Sequence, residues 1–404
     1  MYWAEPSAAA ARLLARLESL AADFAPHLAQ SEHLARLPPE ISGPLLREGF
    51  FRLWIPASVG GLELTLGEAL RLYEAAASID GSLGWAVMIG TGGGLFAAYL
   101  PLAGARELFA APTALVAGSG APTGFAERVP GGYRVRGAWR FASGAHYASV
   151  FTAACVVTAG GAAVVDGAGK PLIRAMSIPP GRVRILDTWD PIGMRGTGSH
   201  DFEVQEAQVP EHHSFSVITD APRETGPLYQ LPFNVLTELP VSAVGLGIAR
   251  HALNEFARLA AARQSAAAGA AAVGIRFARA RAALEQASAA VADLAEEAWR
   301  TVSQGGRLQA SQLARITAVC CVSQEQLRQA VGELAAVAGM RAVERRNDFS
   351  RAWRDLQALG AHGSLAPQRL VESGRILLDH GLRSATMSCA SEVTGGPQVL
   401  PEHT

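Results

Sequence analysis

Residues 113–217 limit what this chain can fold into more than any other stretch. A strand opening near Gly118 meets the turn Pro130-Gly131-Gly132 and returns through the aromatic run Trp139-Arg140-Phe141-Ala142-Ser143-Gly144. Further β-prone runs follow at 150–158, 162–165, 172–178, 182–187 and 201–209, punctuated by glycine and proline. Runs this short, with no helical period between them, predict a small antiparallel barrel or sandwich.

Both flanks change period. Helical patterns occupy 8–30, 39–49 and 65–79 before the β-region. Beyond it, residues 239–263 and 366–382 bracket two heptad-like stripes. One runs through Phe277, Leu284, Ala287, Val291, Leu294 and Ala298, the other through Leu313, Ile316, Cys320, Ser323, Leu327, Leu334 and Val337. Glycine-bearing breaks at 269–274, 305–306 and 360–363 separate these helices, which read as an up-down bundle. The expected class is therefore α+β, with a helical domain over 1–112, a β-domain over 113–222 and a four-helix bundle over 223–404. Alanine-rich seams allow bundles to pack on one another, so an oligomer, taken as a homotetramer, is expected.

Composition removes whole classes of function. A formal charge of −1 argues against nucleic-acid or polybasic membrane binding. Lys170 is the only lysine, which disfavours Schiff-base and Walker-type chemistry. Cys155, Cys320, Cys321 and Cys389 lack metal-ligand spacing, and none of the sequence reads as a signal peptide or membrane span. A soluble, cytoplasmic protein is expected. Gly92-Gly93-Gly94-Leu95-Phe96-Ala97 satisfies a loose dinucleotide pattern but lacks the acidic residue that would hold a ribose, so close helix packing is preferred. Ser199-His200-Asp201 cannot act as a triad, because consecutive strand residues face opposite sides. His212-His213 has no carboxylate or cysteine at ligand spacing along the chain and reads as an exposed loop.

The loop Pro56-Ala57-Ser58-Val59-Gly60-Gly61-Leu62 and the segment Ile79-Asp80-Gly81-Ser82-Leu83-Gly84-Trp85 precede the β-region. That region closes with Asp187-Thr188-Trp189-Asp190-Pro191-Ile192-Gly193-Met194-Arg195-Gly196-Thr197-Gly198-Ser199. Arg250, Arg263, Trp353-Arg354-Asp355-Leu356 and His362 follow in the bundle. Over nearly the whole chain this order resembles the acyl-CoA dehydrogenase fold. Phe141-Ala142-Ser143-Gly144 and His362 resemble its oxygen-using branch, the 4-hydroxyphenylacetate, hydroxysteroid and dibenzothiophene oxygenases.

That resemblance implies the oxygenase component of a two-component monooxygenase. It would take reduced FMN or FAD from a separate NAD(P)H:flavin reductase and use O2, through a C4a-(hydro)peroxyflavin, on a small aromatic or heterocyclic substrate. By the same resemblance Ser143 would hydrogen-bond flavin N5 while Trp139, Phe141 and Trp189 border the ring. Ser119 would face flavin or substrate from the opposite strand, and Arg263 would clamp the flavin phosphate. His362 would serve as acid/base. Plainer alternatives stand beside these: Ser143 as a strand end, His362 as a cap, Arg263 as a solvated helix end, and Arg354 with Asp355 as an ion pair with each other or with the bundle. Glu238 keeps open an acyl-CoA dehydrogenase with that carboxylate as base, and an inactive scaffold of the same fold is a further alternative. Phenol-hydroxylating relatives often carry a histidine after Trp85, where this chain has Ile89-Gly90-Thr91-Gly92-Gly93-Gly94; a phenolate site is therefore not expected.

Overall fold

The computed structural model of the chain describes residues 3–262 and 267–380. Helices α1 (Ala8–Leu34), α2 (Pro39–Glu48), α3 (Leu66–Ala77), α4 (Gly81–Gly94) and α5 (Leu102–Phe109) come first. Their starts are fixed locally. Ser7 caps α1, a Thr65–Glu68 capping box opens α3, and Asp80 accepts the Ser82 and Leu83 amides at the head of α4. Helix α4 carries no charge and runs through the interior. A Cβ on Gly84 would strike Ala77, one on Gly90 would strike Phe51, and one on Gly93 would strike Val116. Of the glycines that imitate a dinucleotide loop, Gly93 and Gly94 serve close packing, against Val116 and Ile55, whereas Gly92 faces open space. By length and composition Gly81–Tyr99 is long and apolar enough to cross a membrane, yet it is 83% buried within the protein.

The sheet comprises β1 (Val116–Val129), β2 (Gly132–Ala142), β3 (Val150–Ala159), β4 (Ala162–Ala163), β5 (Ile173–Ile178), β6 (Arg184–Leu186), β7 (His200–Pro210) and β8 (Ser214–Phe215). Its order is β6-β7-β2-β1-β3-β5-β8, with β4 on β3. The expectation of a wholly antiparallel sheet needs one correction, because β1 and β3 pair in parallel. The chain reverses after β2 and crosses to the far side of β1, so β3 runs in the direction of β1. Trp139, Phe151 and Phe202 fill a core inside this sheet, separate from the larger core shared by the helices.

Helices α6 (Val235–Ala262), α7 (Ala267–Ser303) and α8 (Ala310–Ala338) form the bundle, joined by a helical run over 369–380. Between them lies α9 (Asp348–Leu359), a further helix that carries the segment Trp353-Arg354-Asp355-Leu356. Asn347 caps it, and Phe349, Ala352, Leu356 and Leu359 make its buried stripe. Helix α9 packs on α6 and also touches α4, which brings the C-terminal region against the N-terminal helices.

Candidate active site

Where β2 ends, Ser143 lies buried at the meeting of all three regions. The Trp85 indole Nε1–H of α4 donates to Ser143 Oγ at 2.9 Å, and Ser143 Oγ lies 2.7 Å from Ser199 Oγ. Ser199 Oγ is in turn 2.6 Å from Thr197 Oγ1, which donates to the Met194 carbonyl at 2.8 Å. Elementary bookkeeping of protons orients the chain. A carbonyl cannot donate, so the Thr197 proton is committed to Met194 and Ser199 must donate to Thr197. Ser143 must then donate to Ser199. Each hydroxyl gives one bond and receives one, which leaves Ser143 a single free lone pair.

Met194 is the hub of this arrangement. Its backbone is left-handed (φ 56°), and its carbonyl also accepts the Trp189 Nε1–H at 3.1 Å. Its amide donates to Asp355 Oδ1 of α9 at 2.5 Å. Burial and the neighbouring Asp80 carboxylate push the Asp355 carboxyl up to about 8. Arg351 bridges to Asp80 at 3.1 Å. A Cβ on Gly193 would lie 2.2 Å from the Arg354 carbonyl, so only glycine lets the loop approach α9 this closely. Arg354, expected to pair with Asp355 or with the bundle, pairs instead with Glu32 of α1 and donates to the Ile192 carbonyl.

Phe141 departs from its neighbours. It is 54% exposed and has φ 68°, a left-handed conformation that costs a bulky residue on the order of 1–3 kcal/mol. Its ring meets Trp189 edge-on at 6.1 Å and lies 4.5 Å from the Arg140 guanidinium. Strain that exposes an aromatic ring beside a half-buried indole and a hydroxyl with a spare lone pair gives a surface suited to a flat, partly polar ring system. The residues present therefore fit an isoalloxazine.

His362 closes the opposite side, its ring 5.2 Å from that of Trp85 and nearly perpendicular to it. Its Nδ1 accepts the Ser364 amide at 3.3 Å, so the cap anticipated from sequence exists. The cap also fixes the tautomer, placing the ring proton on Nε2. Burial first, then the nearby Arg369 charge, hold this imidazole below the ordinary histidine range. Glu238 has another occupation. It is 0% exposed, paired with Arg369 and hydrogen-bonded by Thr317 at 2.7 Å inside the bundle, and burial raises its carboxyl. A carboxylate bound on both oxygens is a structural element of the bundle rather than a free base.

The remaining expected residues are scattered. Trp139 is 1% exposed and stacks on Phe202 with its indole N–H on the Ala154 carbonyl at 2.7 Å; it supports the sheet from within and does not wall a flavin. Ser119 sits half-buried at the β1 irregularity, and no hydrogen bond among the described residues joins it to the Ser143 cluster. Arg263 lies outside the described residues. Ser199 and His200 face opposite sides as expected: His200 Nδ1 accepts the Thr188 and Trp189 amides while Ser199 joins Ser143. Trp85, Thr197 and Ser199 also belong to this junction; in the sequence their only signal is their place beside the glycines of their motifs.

Fold and site together define a helical–β–helical protein with a flavin-type site at its three-way junction. Residues 239–367 match the acyl-CoA dehydrogenase, C-terminal domain. The chain is 30% identical over 350 residues to an indole-3-acetate monooxygenase of Pseudomonas putida, covering 82% of this chain and 84% of that protein. It is 29% identical to a flavin-dependent monooxygenase, oxygenase subunit HsaA, of Rhodococcus jostii, covering 88% and 94%. The crystal structure of the HsaA monooxygenase from M. tuberculosis superposes with TM-score 0.81 at 25% identity, over 92% of this chain and 99% of that one. This chain belongs to the flavin-dependent monooxygenases built on the acyl-CoA dehydrogenase fold. It is an oxygenase component of the two-component kind, served with reduced flavin by a separate reductase. The dehydrogenase and inactive-scaffold alternatives find no support.

Proposed function

We propose that this oxygenase acts on an uncharged aromatic or heterocyclic ring held between Trp85, His362 and the flavin. Bound reduced flavin supplies the activation of O2; the chain's residues bind, orient and exclude water. The oriented chain from Trp85 to Met194 carries this reading, because it leaves Ser143 with one lone pair to accept the N–H of a reduced isoalloxazine. Phe141 and Trp189 would border the ring. A neutral His362, with its proton on Nε2, is able to donate toward substrate or oxygen without an ionic charge in the site. Residues 89–94 bring no ionisable group after Trp85, which favours a neutral ring over a phenolate. The indole-3-acetate monooxygenase relative makes its indole ring the first probe, tested as uncharged indole beside indole-3-acetate.

We further propose a cytoplasmic homotetramer joined through the C-terminal helices. Val371 and Leu378 are 76% and 71% exposed on the last described helical run, an apolar surface of the kind that another subunit covers. Buried free Cys155, Cys320 and Cys321 suit a reducing compartment.

The test supplies purified protein with FMN, a flavin reductase, NADH and indole, and compares oxygenated product with hydrogen peroxide formed per NADH. Wild type should couple most turnovers to product, and Ser143→Ala should divert them to peroxide. Turnover of phenols with none of neutral rings would overturn the substrate reading. Bleaching of bound flavin by an acyl-CoA, without oxygenated product, would overturn the reaction itself.

A further inference from the structure

Far from the flavin-type site, Glu107 of α5 meets His212 and His213 in the turn after β7. His213 Nε2 lies 2.8 Å from Glu107 Oε2 and His212 Nε2 lies 3.4 Å from the same oxygen. One potential ligand atom from each residue falls within 4.8 Å of the other two. The sequence alone offers this histidine pair no carboxylate at ligand spacing, since Glu107 stands 105 residues before His212.

Both sides of the cluster are held rigidly. Glu211 donates its amide to the Gly131 carbonyl at 3.2 Å, and Ser214 Oγ donates to the Glu211 carbonyl at 3.0 Å. Arg174 grips the Ser214 carbonyl at 3.0 Å and Asp220 at 3.0 Å. On the other side, a Cβ on Gly104 would stand 2.4 Å from the His212 carbonyl. Helix α5 therefore presses its backbone onto the turn, and Glu107, one helical turn beyond Gly104, lands on the same face. Two imidazoles and one carboxylate are thus aimed at one point by elements that cannot readily drift apart. Glu107 and His212 remain solvent-accessible, which leaves room for water to complete a coordination sphere.

We propose that Glu107, His212 and His213 form a binding site for a divalent transition metal of the zinc type. Two neutral imidazole nitrogens with one carboxylate oxygen and open solvent positions form an established donor set for such ions. Each imidazole would bind through an unprotonated Nε2, its one ring proton shifting to Nδ1, and Glu107 would exchange its two histidine contacts for a bond to the ion. The ion would tie the N-terminal helical domain to the far end of the sheet.

The experiment titrates untagged full-length protein with Zn2+ by calorimetry and follows thermal unfolding in parallel. One Zn2+ per chain should bind and raise the unfolding midpoint. His212→Ala and Glu107→Gln, both at accessible positions, should each weaken binding by about tenfold or more and abolish the midpoint rise. Cys321→Ser should bind Zn2+ as wild type does. Three results would overturn the proposal: no stoichiometric binding at micromolar Zn2+, binding unchanged in both site variants, or Ca2+ binding as tightly as Zn2+.

Discussion

Thr197→Val puts the proton bookkeeping of the site to a direct test. The substitution is nearly isosteric and removes only the hydroxyl that accepts from Ser199 and donates to Met194. Ser199 then has Ser143 Oγ, 2.7 Å away, as its remaining acceptor. With Trp85 still donating, both lone pairs of Ser143 are filled and its own proton turns toward the ligand. Ser143 changes from acceptor to donor. Reduced flavin, whose N5 carries a proton, loses a partner; oxidised flavin, whose N5 accepts, gains one. Each hydrogen bond is worth about 0.5–1.5 kcal/mol net, or roughly twofold to twelvefold in affinity. The ratio of reduced to oxidised FMN affinity should therefore fall by roughly fivefold to 150-fold, the two effects multiplying. Anaerobic and aerobic titrations followed by equilibrium dialysis measure both constants, with Thr197→Ser as the control that restores the wild-type ratio. Equal weakening of both flavins in Thr197→Val would refute the orientation of the chain.

Four further outcomes follow from the geometry. His362→Asn keeps an acceptor for the Ser364 amide but removes the imidazole, so FMN affinity should hold while product formation falls by about a hundredfold or more. In wild type the lowered histidine pKa confines loss of activity to the acid side, below the ordinary histidine range, and a pH–rate profile checks the sign. Asp355 has its carboxyl raised from 3.8 to about 8, so the stability it contributes is full below pH 3.8 and is lost as pH rises toward 8. Asp355→Asn keeps the acceptor for Met194 and should flatten the fall in thermal midpoint across that window. Phe141→Gly relieves the left-handed strain of about 1–3 kcal/mol, offset in part by about 0.5–1 kcal/mol of glycine entropy. The variant should unfold at a higher temperature while binding FMN roughly fivefold more weakly or worse, through the lost aromatic contact.

The order of domains was legible because hydrophobic period changes twice along the chain, at signals strong enough to read without partners. The parallel β1–β3 pair was not, since pairing direction is set by where the chain crosses over and not by local alternation. Trp139 and Phe141 show a subtler limit. Simple alternation puts residues two apart on one face, and the aromatic run reads as a single wall. The β2–β7 register slips between Trp139 and Ala142, and the left-handed Phe141 turns its ring outward while Trp139 stays inside. Ser143 and His362 stand out in the sequence through motifs, but only in three dimensions does Trp85 touch both. Glu238 carried a plausible role by position, and the burial and pairing that give it a structural one depend on Thr317 and Arg369, which lie far along the chain.

The Met194 amide is answered by a side chain from α9 rather than by a strand partner, and that choice has a consequence for how the protein opens. Its exchange with solvent requires the C-terminal helices to part from the β-domain, so this one proton reports on domain separation and not on fraying of the sheet. The same separation lets go of the carbonyl that holds Thr197 and Trp189. Hydrogen exchange at Met194 should therefore track loss of the competent site on warming, ahead of any loss of strand or helix. Heat would silence the enzyme first at a joint between domains, leaving the domains themselves intact.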